Sequence, residues 1–298
     1  MTRTSVHPQS ATPSSVKTAI ATQPDPPSLI SPEFVQETLA LARRLFIQLQ
    51  RRPSTLVAGI VQPLIWLVLF GALFKNVPQG MFGVSQSYGQ FLCAGVIVFT
   101  AFSGALNAGL PVMFDREFGF LNRLLVAPLA SRFSIVLASA LFITTLSLIQ
   151  TAAIMGLSYT LGSGFPNLPG LGLVILIVLL LVLGVTALSL GLTFALPGHI
   201  ELIAVIFVTN LPLLFASTAL VPLSFMPTWL KVVASLNPLS FAIEPIRYMY
   251  LHPDWSLTST VMQAPWGNVS LGATLLLLVG FDVLALTLVQ RLLQRKLA

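Results

Sequence analysis

Residues Met113–Phe133 read MFDREFGFLNRLLVAPLASRF, a charged segment between two apolar runs that are each long enough to cross a lipid bilayer. Within the segment, apolar side chains recur at the spacing of one helix face, and the charged side chains lie off that face. The apolar positions are Phe114, Phe118, Leu121 and Leu125. Pro128 cannot continue a helix and ends the pattern. The segment predicts a short amphipathic helix at a membrane surface; a solvated loop that only follows charge rules is equally compatible with it.

The composition of the chain settles its class. Of 298 residues, 55% are hydrophobic and only 8% are charged, whereas roughly a quarter are charged in a soluble domain. We therefore expect an all-α polytopic membrane protein. Spans of about 20 residues each and their connections use up the length, so no room remains for a soluble catalytic domain.

The net charge of +6 does not indicate a nucleic-acid partner. The basic residues flank apolar runs and do not gather in one patch with interleaved aromatic side chains. The single cysteine, Cys93, lies inside an apolar run. It can form neither an intrachain disulfide nor a thiolate cluster, and we expect it to be a small buried side chain.

Residues 1–30 are rich in Ser, Thr and Pro and have no apolar core of a signal peptide, which predicts a disordered cytoplasmic tail. Ser31, Pro32 and Glu33 have the character of a helix start, and the helix is predicted to run to about Gln50. Arginines at its end suit an anionic inner leaflet, so we expect an amphipathic elbow helix there. A role in anchoring alone and a role in gating are both open.

Six apolar runs are long enough to span the membrane. They cover about 54–74, 89–112, 134–160, 171–196, 200–221 and 269–290. The fourth and fifth are joined only by Pro197, Gly198 and His199, which predicts a tight helical hairpin. With both termini in the cytoplasm, most Lys and Arg residues fall on the inner side, as the positive-inside rule requires.

The segment from about 222 to 250 is apolar but broken by four prolines, so it cannot be one spanning helix. Its prolines are Pro222, Pro227, Pro238 and Pro245. A pair of short helices that dips into the outer leaflet and returns is predicted, and a partly buried external loop is the alternative. Glu244 and Arg247 are three residues apart and are expected to pair near an external gate.

No catalytic or cofactor-binding motif is present in the sequence. There is no GxxxxGK[ST] loop to hold phosphates and no Gly-Lys pair, so any ATP must be bound by another subunit. His7, His199 and His252 lie far apart in the predicted topology and lack HExxH spacing, which argues against a metal site. No GxSxG elbow occurs.

Polar residues within the predicted spans are candidates for a transport pathway, because they are costly in lipid. Asp282 is the ionisable residue that lies well inside a span, where it suits either proton coupling or a helix partner. The amides could line a pathway or bond between helices. They are Gln62, Asn107, Gln150 and Asn210.

The order of these features resembles the permease subunit of the ABC-type-2 exporter family, in the branch of the daunorubicin-resistance and nodulation-factor export permeases. The resemblance covers about residues 31–298 and rests on two motifs. The first is FDREFGFLNRLLVAPLASR, with Glu117, Gly119, Leu121, Leu124, Leu125, Pro128, Ser131 and Arg132 at the matching positions. The second is LNPLSFAIEPIRYMY, with Asn237, Pro238 and Arg247 at the matching positions.

The resemblance implies a multi-pass permease of the inner (plasma) membrane that pairs with a second permease copy, as a homo- or heterodimer, and with two separate ABC ATPase subunits that bind ATP and Mg²⁺. It also implies export of an amphipathic, lipid-linked or drug-like substrate. The first cytoplasmic loop would be a coupling helix that docks on the ATPase. Its coupling residues would be Phe114, Asp115, Arg116, Glu117, Phe118, Gly119, Leu121 and Arg123.

Within this loop we expect Arg116, Glu117 and Arg123 to contact the ATPase, and the apolar face to anchor the helix to the permease. The main alternative is a proton-coupled secondary transporter that uses Asp282. A scaffold that assembles other membrane proteins, without transport, is a third reading.

Overall fold

The computed structural model of the chain describes residues 32–74, 88–119, 133–162 and 164–297, and these ranges are mostly helical. The predicted tail of residues 1–30 lies outside them. In chain order the elements are α1 (Pro32–Gln50), α2 (Pro53–Leu73), α3 (Tyr88–Leu106), α4 (Gly109–Glu117), α5 (Phe133–Thr160), α6 (Leu168–Ala195), α7 (His199–Phe215), a 3₁₀ turn (Leu223–Phe225), α8 (Thr228–Leu236), α9 (Pro238–Met249), β1 (Thr260–Ala264), β2 (Gly267–Ser270) and α10 (Leu271–Leu297).

Within the described ranges, five helical segments are long and apolar enough to cross a membrane. They are Leu56–Leu73, Tyr88–Glu117, Ser134–Thr160, Leu168–Ala195 and Leu271–Leu292. The class of all-α polytopic membrane protein is confirmed. The helix predicted to follow Ser31 and reach Gln50 is present as α1, and a short connection, residues 196–198, joins α6 to α7 as predicted.

The fifth predicted span is shorter than expected. The helix α7 has 17 residues and ends at Phe215, not near residue 221, so it is about 26 Å long at 1.5 Å per residue. A typical hydrocarbon core is about 30 Å thick. The chain turns after Phe215 because polar side chains donate hydrogen bonds to the last carbonyl groups of the helix. Ser217 Oγ, for example, donates to the Leu214 oxygen at 2.6 Å.

The main apolar core lies along α3, α6 and α9, and α5 and α10 pack around it. In the span that begins with α3, 72% of the apolar window is buried, against 11% in α2. The helices α2 and α7 are therefore at the edge of this single chain, with large apolar side chains exposed along both.

The predicted second span, 89–112, is not one helix. It breaks at Asn107 and Ala108, and α4 begins at Gly109. Hydroxyl groups of α6 satisfy the backbone groups freed by this break, as a membrane interior requires. Ser189 Oγ accepts from the Gly109 nitrogen at 2.9 Å and donates to the Leu106 oxygen at 2.6 Å. Even a Cβ atom on Gly109 would overlap the Thr193 hydroxyl, so the approach of α4 to α6 requires glycine.

The proline-broken segment contains the predicted pair of short helices, α8 and α9, preceded by the 3₁₀ turn. Pro227 precedes α8, and Pro238 is the first residue of α9, where a missing N–H costs nothing. The two-stranded antiparallel hairpin that follows, β1 and β2, was not expected. Its buried residues are Met262 and Val269, one from each strand, which face each other across the ladder.

Candidate functional site

The predicted coupling segment is described up to Gly119. Its helix, α4, ends at Glu117, and Gly119 has a φ of +75°, which lies in the left-handed region. The continuous helix face predicted from Phe114 to Leu125 is therefore wrong, because a helix cannot pass through a left-handed residue. Leu121 and Arg123, two of the predicted coupling residues, lie outside the described residues.

Asp115 ties α4 to the N-terminal helix α1. Both of its carboxylate oxygens accept hydrogen bonds from the Arg44 guanidinium, at 2.7 and 2.8 Å. This two-point geometry is the strong form of an ion pair. The side chains are 32% and 24% exposed, so water still weakens the pair. Any displacement of α4 must carry α1 with it or break this contact.

Arg116 closes the end of α6. Its guanidinium donates to the carbonyl oxygens of Thr193, Leu196 and Pro197, the last one at 2.7 Å. The last carbonyl groups of a helix lack partners within the helix and carry partial negative charge, so a cation is stabilising there. Arg116 thus acts as a cap supplied by a different helix.

Glu117 caps the N-terminus of α7, as Arg116 caps the C-terminus of α6. One carboxylate oxygen accepts from the His199 backbone nitrogen at 2.7 Å, and the other lies 2.6 Å from His199 Nδ1. The residue before the helix, Gly198, has no side chain to do this. An ionised carboxylate can only accept, so Nδ1 carries the hydrogen. The Phe114 ring lies 5.3 Å from the imidazole ring.

These contacts give the charged residues of α4 internal partners that were not expected, while the predicted contact with an ATPase stays a prediction. The acidic and basic groups, predicted to face an outside partner, are bonded to α1, α6 and α7. Phe118, predicted to anchor the helix to the permease, is 82% exposed, although its ring stacks on Phe114 at 6.2 Å. The sequence signal for the internal contacts was the three-residue α6–α7 turn, which leaves two helix ends side by side and in need of caps.

A cavity of about 560 Å³ lies between α1, α2, α3, α5 and α7. Of the five polar residues predicted as pathway candidates, four line it, each from a different part of the chain: Gln62, Asn107, Gln150 and Asn210. Asp282 does not. Aromatic side chains make up much of the remaining wall: Trp66, Phe70, Phe99, Phe142 and Phe207. Its volume is in the range of small-molecule sites.

The amides divide between the two roles left open by the sequence. Asn210 bonds between helices, since its Oδ1 accepts from Ser103 Oγ at 3.1 Å. Asn107 donates to the Ser103 carbonyl oxygen of its own helix at 2.7 Å. Gln62 is exposed near the middle of α2 and makes no hydrogen bond to a described residue.

Gln150 satisfies a backbone carbonyl group of α2 that has no partner within the helix. Pro63 has no N–H, so the carbonyl of Gly59, four residues earlier, loses its helix partner. Gln150 Nε2 donates to that oxygen at 2.9 Å. A side chain on residue 59 would crowd the amide, because a Cβ there would lie 2.9 Å from Nε2.

The change Gln150→Leu is expected to destabilise the protein by about 1–3 kcal/mol, because it leaves the Gly59 carbonyl without a donor in an apolar setting. The matched control is Thr145→Val on the same helix, since Thr145 bonds only to the Leu141 oxygen of its own helix. Thermal unfolding in detergent measures both. Equal stability of the two variants would contradict this role for Gln150.

Asn237 joins the end of α7 to the start of α9. Its amide nitrogen donates to the carbonyl oxygens of Leu213 and Ala216 at 2.8 and 2.7 Å. Its Oδ1 accepts from the Leu239 backbone nitrogen at 3.0 Å. Pro238 fixes the first turn of α9. One buried side chain thus caps two helices, which explains why an Asn-Pro pair suits this position.

Arg247 is buried and makes the predicted contact with Glu244. Its guanidinium also donates to the Thr218 carbonyl oxygen at 2.7 Å and lies 3.6 Å from the centre of the Phe91 ring. The cation therefore joins α9 to α3 and to the turn after α7.

Asp282 does not line this cavity and lies in the contact between α10 and α6. It is only 4% exposed and reaches hydrogen-bond geometry with no described group. Gly184 makes room for it, since a Cβ at residue 184 would overlap the carboxyl group. Within the described residues, no cluster of three or more His, Cys, Asp or Glu side chains is placed to hold a metal ion.

Comparison with known proteins places these features in a family. A family model described as ABC-2 type transporter matches residues 36–251. A transport permease named ycf38 of Porphyra purpurea is 56% identical over 273 residues, which cover 92% of this chain and 94% of that protein. Its counterpart of Cyanophora paradoxa is 51% identical over 261 residues, or 88% and 90% of the two chains. The doxorubicin resistance ABC transporter permease DrrC of Mycobacterium tuberculosis is 28% identical over 222 residues, or 72% and 76%.

Proposed function

The chain belongs to the ABC-2 type transporter family, and from this premise we propose that it is the membrane subunit of an ATP-driven exporter, coupled to separate ATPase subunits through α4. The observation that carries the proposal is the set of charged contacts that joins α4 to α1, α6 and α7 and leaves Phe118 outward. ATP and Mg²⁺ bind on the partner subunits, and this chain binds no cofactor of its own.

The coupling step is a displacement of α4. When the ATPase subunits close on ATP, they move α4 through the exposed Phe118 and the residues that follow it. The bonds of Arg116 and Glu117 carry this displacement to the turn between α6 and α7. The helix α7 forms one wall of the cavity through Phe207 and Asn210, so its movement changes the shape of the cavity.

The proposed topology has six spans, with α7 as the fifth, and both termini lie in the cytoplasm. The proposed location is the inner (plasma) membrane of the cell. The helix α1 is then an elbow on the inner leaflet, and the segment of about 222–250 is re-entrant from the outside. The residues Asn237, Pro238, Glu244 and Arg247 hold that external segment in place beside the outer end of the pathway.

A second permease copy completes the pathway. The helices α2 and α7 have long exposed apolar faces, and Gln62 is exposed in the middle of α2. An unpaired amide is costly in lipid, so this side of the chain suits a partner helix or a wet cavity better than acyl chains. The partner copy, identical or related, would cover it, and the other spans would face lipid.

The substrate class proposed from the family is an amphipathic molecule, lipid-linked or drug-like, that leaves the cytoplasm. The relative named for doxorubicin resistance supports export of such a molecule. The cavity, with aromatic walls and a few amides, suits the same class.

The decisive test is purification of the chain in mild detergent with its ATPase partner, followed by a binding measurement on Phe118→Asp. Because exposed aromatic residues at a protein contact often contribute more than 1 kcal/mol, we expect the affinity for the ATPase to fall about fivefold or more. Phe165→Asp is the matched control, an exposed phenylalanine between α5 and α6 at the other end of the bundle. Failure to recover any ATPase, or equal losses in both variants, would refute the proposal.

The second candidate is the proton-coupled transporter, favoured by the one observation that Asp282 is buried without a hydrogen-bond partner in the described part of the chain. It requires transport that stops with an uncoupler and with Asp282→Asn. The ATP-driven exporter instead keeps transport under both conditions and loses it when the ATPase is inactivated.

A further inference from the structure

We propose that the cavity between α1, α2, α3, α5 and α7 accepts an uncharged part of the substrate, an apolar body that carries hydroxyl, carbonyl or amide groups, and rejects phosphate, carboxylate and ammonium groups. This inference rests on the proposed function and adds to it the chemical class that the pathway selects.

The described part of the cavity wall carries no charged side chain. Among the described residues that line the cavity, none is Asp, Glu, Lys, Arg or His. The charges at the α4 end and in the Glu244–Arg247 pair are bonded to other groups of the chain. A charged group that leaves water for such a site loses hydration and finds no counter-charge, which costs several kcal/mol.

The polar side chains of the wall are neutral amides and hydroxyls. Gln62, Asn107 and Asn210 line the wall, with hydroxyls of Thr100 and Ser139. An amide both donates and accepts hydrogen bonds, so a neutral polar group of either sense can be matched. Gln62 is the best placed of them, because it makes no hydrogen bond to a described residue and is exposed.

A ring face can attract a cation, but two of the aromatic residues of the wall, Trp66 and Phe70, already have a face against another ring. The face of Trp66 is turned toward Phe99, with ring centres 6.1 Å apart and planes 30° apart. Phe70 stacks on Phe74 with nearly parallel planes. Each of these contacts occupies one face of a ring, which reduces the number of faces that could surround an ammonium group.

The experiment compares three probes with the same twelve-carbon tail, each brominated on that tail: a monoacylglycerol, an alkyl phosphate and an alkyl trimethylammonium. The readout is quenching of Trp66, taken as the difference between the protein and its Trp66→Phe variant in nanodiscs, with concentrations corrected for partition into protein-free discs. Since an unpaired charge costs several kcal/mol, we expect the neutral probe to quench at a concentration at least about tenfold lower than either charged probe.

Variants of Gln62 test the cause. Gln62→Lys should raise the affinity of the cavity for the alkyl phosphate by about tenfold or more, because the lysine supplies the missing counter-charge. Gln62→Glu should raise the affinity for the trimethylammonium probe by the same factor, for the same reason. Gln48→Lys on the exposed side of α1 adds the same charge outside the cavity and should leave the order unchanged. If one of the Gln62 variants fails to fold, the other still tests whether a counter-charge in the cavity restores binding of a charged probe.

The outcomes separate the two proposals. Equal quenching by charged and neutral probes, or no change in the Gln62 variants, overturns the inference about the cavity even if the complex hydrolyses ATP normally. Neutral selectivity with no ATPase partner upholds the cavity inference as a binding property and overturns the proposed function.

Discussion

The change Glu244→Ala is expected to destabilise the protein by about 3–5 kcal/mol, the cost of leaving a buried cation without its partner. The side chain of Arg247 is only 7% exposed, and its other contacts are a ring face and carbonyl oxygens, none of which carries a full charge. The guanidinium cannot lose its proton to escape the penalty. In thermal unfolding this corresponds to a fall in Tm on the order of 5–10 °C for a chain of this size.

The controls for Glu244→Ala separate the charge from the lost side chain. Glu201→Ala removes an exposed carboxylate in the first turn of α7 and should change the free energy of unfolding by less than about 1 kcal/mol. The double change Glu244→Leu with Arg247→Met should recover part of the stability, because no buried charge remains. Recovery stays incomplete, since the Thr218 carbonyl loses its donor. A double variant less stable than Glu244→Ala would contradict this explanation.

The pattern of the sequence predicted local elements well and their partners poorly. Ser31 and Pro32 were enough to predict the start of α1, and the three residues between the fourth and fifth spans were enough to predict a hairpin. The bond from Arg44 to Asp115 joins residues 71 positions apart, and nothing in either local pattern points to the other. For the same reason, the sequence did not predict that the Ser189 hydroxyl bonds to the backbone at the break before α4.

The cavity shows the same division between what periodicity can and cannot predict. The amides in the spans were recognisable because they are costly in lipid, and all four of them line the cavity. Their separate duties depend on neighbours that the sequence does not reveal. Gln150 is needed because Pro63 frees a carbonyl on another helix, and Gln62, one residue before that proline, has no such duty.

The two ends of α7 are held by side chains from other elements, which gives this helix a mechanical role. Glu117 of α4 caps its first turn, and Asn237 caps its last. Between these ends, Asn210 bonds to Ser103 of α3, and the helix has few other neighbours in the chain. In the coupling step that we propose, a displacement applied at the α4 end would be transmitted along α7 to the start of α9. A well-packed helix such as α6 would resist the same displacement.

The change Arg116→Ala is expected to uncouple transport from ATP hydrolysis. The loss of its guanidinium frees three carbonyl groups at the end of α6 and removes the bond that makes the α6–α7 turn follow α4. Since the coupling energy between two sites is typically about 1–3 kcal/mol, transport per ATP hydrolysed should fall by about five- to 150-fold. Binding of the ATPase should stay within about twofold, because Arg116 faces into the chain and small effects are expected away from a contact.

Arg116→Lys is the informative control, because it keeps the charge but cannot present the planar fork that reaches several carbonyl oxygens at once. We expect intermediate coupling from the lysine variant, measured as substrate moved per phosphate released in proteoliposomes. If Arg116 instead contacted the ATPase directly, alanine would weaken binding of that subunit and lysine would largely restore it. A loss of ATPase binding in Arg116→Ala, matched by the loss of transport, would therefore contradict the internal role that the geometry gives this arginine.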